Sequence, residues 1–295
     1  MLLKLSRRPV FSSMVVLLGF VFATASAAPG GATSGSVSSS AVQPFATPSE
    51  VPSAPAATEP APTPVNAALV SLEPTVKSLD VVWSVRHELH SQIVDFLKKK
   101  PTVADNYEVL WRMARLSYYG GFFALPKDAL SEDKMSVFQV GTETGERARR
   151  LEPSRVEGHY WYAVTLGGWG IAKGVLKALS SAAPMRDALT EAIKIDPKYH
   201  FAGPYRVRGR LYNKIPGVIS FGDNQKANDD LKKAIELAPE SKLNHIYMAE
   251  VQAKLKSKAD ALKTLEFAKS LPDVVGVAEE AAYRRDISEL ENKFR

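Results

Sequence analysis

The stretch GRLYNKIPGVISFGDNQKA, from Gly209 to Ala227, decides the fold. Its two ends have the residue spacing of helices, whereas its centre contains Pro216 and Gly217, which interrupt a helix. The stretch therefore predicts two helices joined by an extended corner. In that corner Pro216 and Gly217 form a turn, and Asp223 caps the second helix.

Prolines at similar intervals divide the rest of the chain into units of the same kind. Pro153, Pro197 and Pro239 each follow a helical segment and have an alanine five residues earlier, and Pro272 closes a fourth unit. An alanine at that point lets neighbouring helices approach closely. The pattern predicts an all-α superhelix of about four helical hairpins within a domain of residues 66–295.

These units resemble the tetratricopeptide repeat, a helical pair of about 34 residues with an early aromatic residue and a closing proline. The units that end at Pro197 and Pro239 are about eight to ten residues longer than that repeat. The extra residues fall between the two helices of a unit, so they predict inserted loops on one side of the superhelix, which is often a binding face. The three insertions are Gly120 to Lys134, Gly167 to about Gly174, and Asn213 to Asn224.

Further helices flank the repeats. The segment from Val81 to Lys99 has apolar residues at helical spacing and predicts one helix that ends before Pro101. The segment from Val277 to Phe294 is rich in charge and predicts a capping helix whose polar outer face closes the superhelix. His87 and His90 lie one turn apart, but no third ligand lies nearby in the sequence, so no metal site is predicted.

The N-terminal residues differ in composition from the rest. Residues 1–27 combine basic residues, an apolar run and a small-residue cleavage sequence, which predicts a secretory signal peptide and a periplasmic location. The run is shorter than the roughly 20 residues of a spanning helix, so cleavage is favoured over retention as a membrane anchor. Residues 28–65 are mostly Ala, Pro, Ser, Thr and Gly and predict a disordered tether.

Charge and motif content argue against two classes of function. The net charge is +6 for the whole chain, and it falls to about +3 without residues 1–27, which is too little to indicate nucleic-acid binding. The chain has no cysteine, and it lacks the common nucleophile, phosphate-loop and metalloprotease motifs. Nothing indicates that Ser220, Asp223 and either His200 or His245 converge as a triad. The sequence therefore predicts no catalysis and no cofactor.

The inner face of the first helices of a repeat solenoid commonly forms a groove. Arg206 and Arg210, one turn apart on that face, suit a carboxylate or an acidic peptide, or else they pair with acids such as Glu250. Trp169, in a glycine-rich insertion, is interpreted either as part of a loop packed on the repeat or as a ligand contact. The candidate groove or ligand contacts are Arg112, Trp161, Thr165, Trp169, Arg206, Arg210 and Asn213.

Arg208 falls where a first helix normally buries an apolar or small residue. An unpaired buried guanidinium is costly. We therefore expect Arg208 to pair with an acid, to reach solvent, or to line an internal cavity.

Four segments carry a closer resemblance: His159 to Ala163, Gly167 to Gly170, Gly203 to Tyr212, and Pro216 to Asp223. They resemble the divergent repeats of the T component of tripartite ATP-independent periplasmic transporters, and the regulator of microtubule dynamics proteins share the same helical pattern. Resemblance to the T component implies a periplasmic all-helical protein that associates with a solute-binding protein and can enclose a channel for an apolar solute. T components are usually lipoproteins, however, and this chain has no cysteine to accept a lipid.

Two functions follow from these observations. The first is a noncatalytic periplasmic scaffold that binds a protein partner through its groove or its inserted loops. The second is a solute-handling accessory to a transporter, in which the aromatic middle repeats enclose an apolar ligand. The sequence leaves open whether copies of the chain associate into a homo-oligomer.

Overall fold

The computed structural model describes residues 73–295, and within that range it contains eleven α-helices and no strand. The predicted all-α class is therefore confirmed. The predicted signal peptide (1–27) and tether (28–65) lie outside the described residues. The helices are α1 Val76–Ser84, α2 His90–Lys98, α3 Tyr107–Tyr119, α4 Ser131–Leu151, α5 Val156–Lys173, α6 Val175–Ile195, α7 Tyr199–Lys214, α8 Asn224–Leu237, α9 Lys242–Lys254, α10 Lys258–Ser270 and α11 Val277–Phe294.

Four helical hairpins, α3–α4, α5–α6, α7–α8 and α9–α10, stack in chain order into a superhelix. The second helix of each hairpin ends just before the proline that marks its unit. Ala148, Ala192 and Ala234 are completely buried, which confirms that helices meet closely at the repeated alanine. Burial of these positions and of the leucines around them forms the apolar core that holds the hairpins together.

The corner between α7 and α8 has the predicted form. Helix α7 ends at Lys214, and Asp223 accepts hydrogen bonds from the backbone N–H groups of Gln225 at 2.8 Å and Lys226 at 3.1 Å. Val218 in the loop between the helices is 99% exposed. The tip of the insertion therefore lies outside the core, whereas Ile215 at its start is buried in it. Asp223 caps α8 as expected.

The corner between α5 and α6 differs from the prediction. Helix α5 continues to Lys173, and only Gly174, with φ of 107°, separates it from α6. A Cβ atom at Gly168 would lie 2.5 Å from the ring of Phe138, so glycine is required there by the close packing of α5 on α4. The predicted loop at Gly167 to Gly174 is wrong because Gly168 serves helix packing and Gly174 alone forms the corner.

The corner between α3 and α4 is partly helical. Gly120–Ala124 form a π-helical turn that continues α3, and the loop that follows is limited to residues 125–130. The predicted insertion from Gly120 to Lys134 is therefore shorter than expected. The π-helical turn places Phe122 and Phe123 against the ring of Tyr118, each with ring centroids 5.5 Å apart.

The predicted single helix from Val81 to Lys99 is also wrong, because α1 and α2 are separate helices joined by the 3₁₀ turn Arg86–Glu88. The bend buries Leu89 between the two helices. It thus lets apolar residues of both helices reach the core, which one straight helix would not allow.

Helix α11 has the predicted bounds, and Arg284, Arg285 and Lys293 on it are exposed, but two of its acidic residues are not part of a polar outer face. Glu279 and Glu280 are 5% and 1% exposed. Glu279 Oε1 accepts a hydrogen bond at 2.9 Å from Nη2 of Arg86, which lies between α1 and α2. Glu280 Oε2 accepts one at 2.8 Å from Nζ of Lys242, the first residue of α9. Helix α11 therefore packs back across the superhelix and connects its last repeat to its beginning.

Replacing Glu279 tests this connection. Glu279→Gln removes the counterion of a nearly buried guanidinium, so we expect it to lower the free energy of unfolding by about 2–4 kcal/mol, measured by urea denaturation followed by circular dichroism. Glu236→Gln is the matched control because the Lys233–Glu236 pair is exposed, and we expect it to cost at most about 0.5 kcal/mol. Equal effects of the two substitutions would contradict a closing role for α11.

Candidate functional site

A cleft with a volume of about 140 Å³ lies on the inner face of the superhelix. The first helices of all four hairpins contribute to its walls, and α11 closes one side. Most of its surface is apolar. Its aromatic lining residues are Tyr118, Phe122, Phe123, Tyr160, Tyr247 and Tyr283.

The aromatic wall of the cleft is supported from behind by Trp161. Tyr118 packs on Trp161 with ring centroids 5.2 Å apart, and Tyr160 packs edge-on against the same ring at 4.8 Å. The indole Nε1 of Trp161 donates to the hydroxyl of Tyr199 at 2.8 Å. Since the buried indole has its partner, these rings form a fixed surface.

Arg206 is the most deeply buried cation in the lining of the cleft, with 3% exposure. Its guanidinium donates to the carbonyl of Phe201 at 2.9 Å, to the hydroxyl of Tyr160 at 3.1 Å and to Asn244 Oδ1 at 3.2 Å. All these acceptors are neutral, and no carboxylate of residues 73–295 forms an ion pair with Arg206. Its Nε–H is buried and has no acceptor in this part of the chain.

Arg206 also holds a strained segment. His200, Phe201 and Ala202 have φ values of 50°, 58° and 55°, a left-handed conformation that costs roughly 1–2 kcal/mol for each residue. Arg206 donates to the carbonyls of both His200 and Phe201. Burial, together with the charge of Arg206, lowers the pKa of His200 to about 3, so the neutral imidazole can accept from Arg206 Nη2 through Nδ1 at 3.3 Å.

Two other cations of the cleft share one carboxylate. Arg210 and Lys214 contact the two oxygens of Glu250 at 2.7 and 2.8 Å. Although burial favours the neutral acid, Arg210 and Lys214 lower the pKa of Glu250. Burial lowers the pKa of Lys214 to about 8, so its charge depends on Glu250.

Asp286 is the acidic residue in the lining of the cleft. Burial raises its pKa to about 6, against the opposing effect of Arg285 and Arg210. Asp286 therefore ionises within the physiological pH range, on the helix that closes the cleft.

The structure brings two of the seven sequence-predicted contacts to the cleft. Arg206 and Arg210 both line it. Arg210 pairs with Glu250, as in the second of the two interpretations from the sequence. Trp161 and Thr165 are completely buried and Asn213 is 2% exposed, so their side chains are buried rather than presented on an open groove.

The remaining predicted contacts lie outside the cleft lining. Trp169 is on α5 instead of in a loop, and the ammonium group of Lys173 lies 4.9 Å from its ring centroid. Arg112 binds Asp80 at 2.8 Å and Glu108 at 2.6 Å. The expectation that Arg208 pairs with an acid is confirmed, since it contacts both oxygens of Asp230 at 2.8 Å.

Sequence reasoning missed most of the aromatic lining. Phe122 and Phe123 were placed in an insertion, although their aromatic character was a signal that the segment packs inward. Tyr283 and Asp286 were assigned to a capping helix, and nothing local indicates that this helix returns to the first repeat. Tyr247 on α9 lines the cleft but was not among the predicted contacts.

Three of the groups considered for a catalytic triad or a metal site have structural partners. Asp223 caps α8, and His245 Nε2 lies 2.8 Å from the carbonyl of Pro239. His90 Nε2 lies 2.7 Å from the hydroxyl of Tyr119. These contacts assign each group a role in holding the fold.

Comparison with known proteins identifies the family. The family model described as "Regulator of microtubule dynamics protein 1-3" matches residues 75–295, which include every helix from α1 to α11 and all of the cleft. The chain belongs to this family. Within residues 73–295, no helix is both long enough and apolar enough to cross a membrane.

Individual relatives and solved structures are also similar to this chain. Regulator of microtubule dynamics protein 3 of Rattus norvegicus is 26% identical over 208 residues, which are 66% of this chain and 43% of that protein. The corresponding mouse protein is 27% identical over 208 residues, which again are 66% of this chain and 43% of that protein. This match thus spans less than half the length of those relatives. A thermophilic TPR protein of Thermus thermophilus is similar over 78% of this chain and 96% of its own, with 16% identity and a TM-score of 0.48.

Two predictions from the sequence are corrected by family membership. The predicted periplasmic location is wrong, because the family's curated members matched by this chain come from mammals, whose cells have no periplasm. The resemblance to T components of periplasmic transporters is not supported either, since the family model that matches is that of the microtubule regulators.

Asp286 provides a test of the electrostatics of the cleft. Its pKa in the folded chain, about 6, lies above the ordinary value of 3.8, so its contribution to stability is present below about pH 4 and is lost as the pH rises through 6. Asp286→Asn should therefore raise the free energy of unfolding by about 1–3 kcal/mol at pH 7.5 and leave it unchanged near pH 4.

The measurement is urea denaturation across this pH range. Asp95→Asn is the control, because Asp95 is exposed on α2 and we expect no comparable pH-dependent gain. A gain from Asp286→Asn that is the same at pH 4 and pH 7.5 would contradict the assignment.

Proposed function

We propose that this chain is a noncatalytic scaffold that regulates microtubule dynamics by binding a protein partner in the cleft on its inner face. Membership of the regulator family supports a role in microtubule dynamics, and the cleft supports action through the binding of a protein partner. The cleft is the single observation that carries the proposal, because it is an apolar concavity on the face that repeat superhelices use for recognition.

The dimensions and lining of the cleft suit one side chain of a partner. Its volume of about 140 Å³ is close to that of an engineered cavity that binds benzene, about 150 Å³. A single aromatic or branched aliphatic residue would fill it. Interfaces commonly depend on a few such anchors in desolvated pockets, and the fixed aromatic wall would lose little entropy on binding.

A substitution that fills the cleft tests this proposal. Val164 lines the cleft and is 9% exposed, so Val164→Trp should occupy the space that a partner's side chain would take. Purified wild-type chain should bind microtubules in co-pelleting assays or alter their growth rate in dynamic assays with purified tubulin. We expect Val164→Trp to weaken that effect at least 10-fold.

Val81→Trp is the matched control, since Val81 is 48% exposed on α1 and does not line the cleft. It should act like the wild type, and both variants should retain the helical circular dichroism spectrum. The proposal fails if wild-type chain neither binds nor affects microtubules, or if Val164→Trp is as active as Val81→Trp.

A further inference from the structure

The charges around the cleft do not balance. Arg210 and Lys214 contribute two positive charges, and the neighbouring carboxylates Glu250 and Asp286 contribute two negative charges when both are ionised. Arg206 then remains as a net positive charge in the lining. Its hydrogen-bond acceptors in the described chain are carbonyl, amide, hydroxyl and imidazole groups, none of which carries a negative charge.

An uncompensated buried cation is unfavourable, because burial removes the hydration of the charge without replacing it by a counterion. The other buried basic side chains at helix contacts avoid this cost. Arg208 pairs with Asp230, and Lys242 pairs with Glu280. Arg206 differs from them in lining a cavity, so a bound molecule can supply the missing charge.

We propose that the cleft binds a small apolar carboxylate, with the carboxylate group at Arg206 and an apolar group of about one ring in the aromatic part of the cleft. The charge of Arg206, which lines the cleft, favours the anion. The cavity volume limits the apolar part to about the size of benzene. The acid and the side chain of a partner would exclude each other from the same cleft. The two proposals are tested separately, because this one concerns direct binding of a small molecule to the isolated chain.

Two sources of this ligand share the same chemistry. One is a free acid of low molecular mass, and the other is the C-terminal residue of a peptide with an apolar side chain. The proposal is the free acid, because Arg206 is 3% exposed and a small acid can bring its carboxylate there without a peptide backbone entering the cleft. A peptide arm in the experiment separates the two.

Titration calorimetry with the full chain tests the proposal. The probes are 3-phenylpropanoate, its neutral amide, and acetate, which lacks the apolar group. We expect 3-phenylpropanoate to bind 10- to 100-fold more tightly than the amide, as one charge-assisted contact implies, and acetate to show no measurable binding. Equal binding of the acid and the amide would overturn the role of Arg206.

Two variants locate the site. Ala282 lines the cleft and forms none of the hydrogen bonds of Arg206, so Ala282→Phe should abolish binding of 3-phenylpropanoate while the thermal unfolding midpoint shows a folded protein. Arg206→Met should lower the affinity for the acid to that for the amide. If Arg206→Met does not fold, the proposal is tested by Ala282→Phe and by the comparison of the acid with the amide. Unchanged binding of 3-phenylpropanoate to a folded Ala282→Phe variant would overturn the proposal.

The peptide arm uses a heptapeptide that ends in phenylalanine, with a free or an amidated C-terminus. Weaker binding of the free-acid peptide than of 3-phenylpropanoate supports the free small molecule as the ligand. Binding of that peptide at least 10-fold tighter than 3-phenylpropanoate, and lost on amidation, would overturn the free acid in favour of a chain terminus.

Discussion

The contact between Arg86 and Glu279 determines where α11 lies, and the cleft depends on that position. The guanidinium of Arg86 lies over the ring of Trp83 at 4.3 Å, so one cation binds both the aromatic side chain of the N-terminal segment and the carboxylate of the C-terminal helix. Because α11 is fixed there, Tyr283 and Asp286 form one wall of the cleft. A second contact, between Lys127 Nζ and Glu289 Oε1 at 3.2 Å, joins α11 to the loop of the first hairpin.

The interior of this superhelix contains several ion pairs between different helices. Arg208–Asp230 joins α7 to α8, Arg210–Glu250 joins α7 to α9, and Lys242–Glu280 joins α9 to α11. Each pair is satisfied only when the two helices adopt their native arrangement, since a displaced partner leaves a buried charge alone. Apolar contacts supply the driving force for stacking, and these pairs restrict which stacking is compatible with buried charge.

The helical hairpins could be predicted from the sequence because their determinants are local. The prolines that end the units and the alanines at Ala148, Ala192 and Ala234 report helix ends and close helix contacts directly. The glycines around Trp169 were misleading, because a local preference for a loop was overridden by the need for α5 to pack closely on α4. Sequence spacing cannot distinguish these two reasons for glycine.

The candidate site could be predicted only in part. Helical spacing alone places Arg206 and Arg210 one turn apart on the inner face of α7, and both residues line the cleft. It could not show that Trp161 is completely buried while Tyr118 and Tyr160 form the wall of the cleft, because that depends on how neighbouring repeats rotate against each other. It also could not show Tyr283 in the wall, because a contact between residues so far apart in the chain leaves no periodic signal.

The return of α11 has a consequence for how the chain loses its structure. In an open array of repeats each unit contacts only its neighbours, so terminal units can fray while the middle remains intact. Here the first and last described segments hold each other, and neither end can detach without exposing Glu279 or its cation. The array therefore favours an all-or-none transition over stepwise melting from its ends.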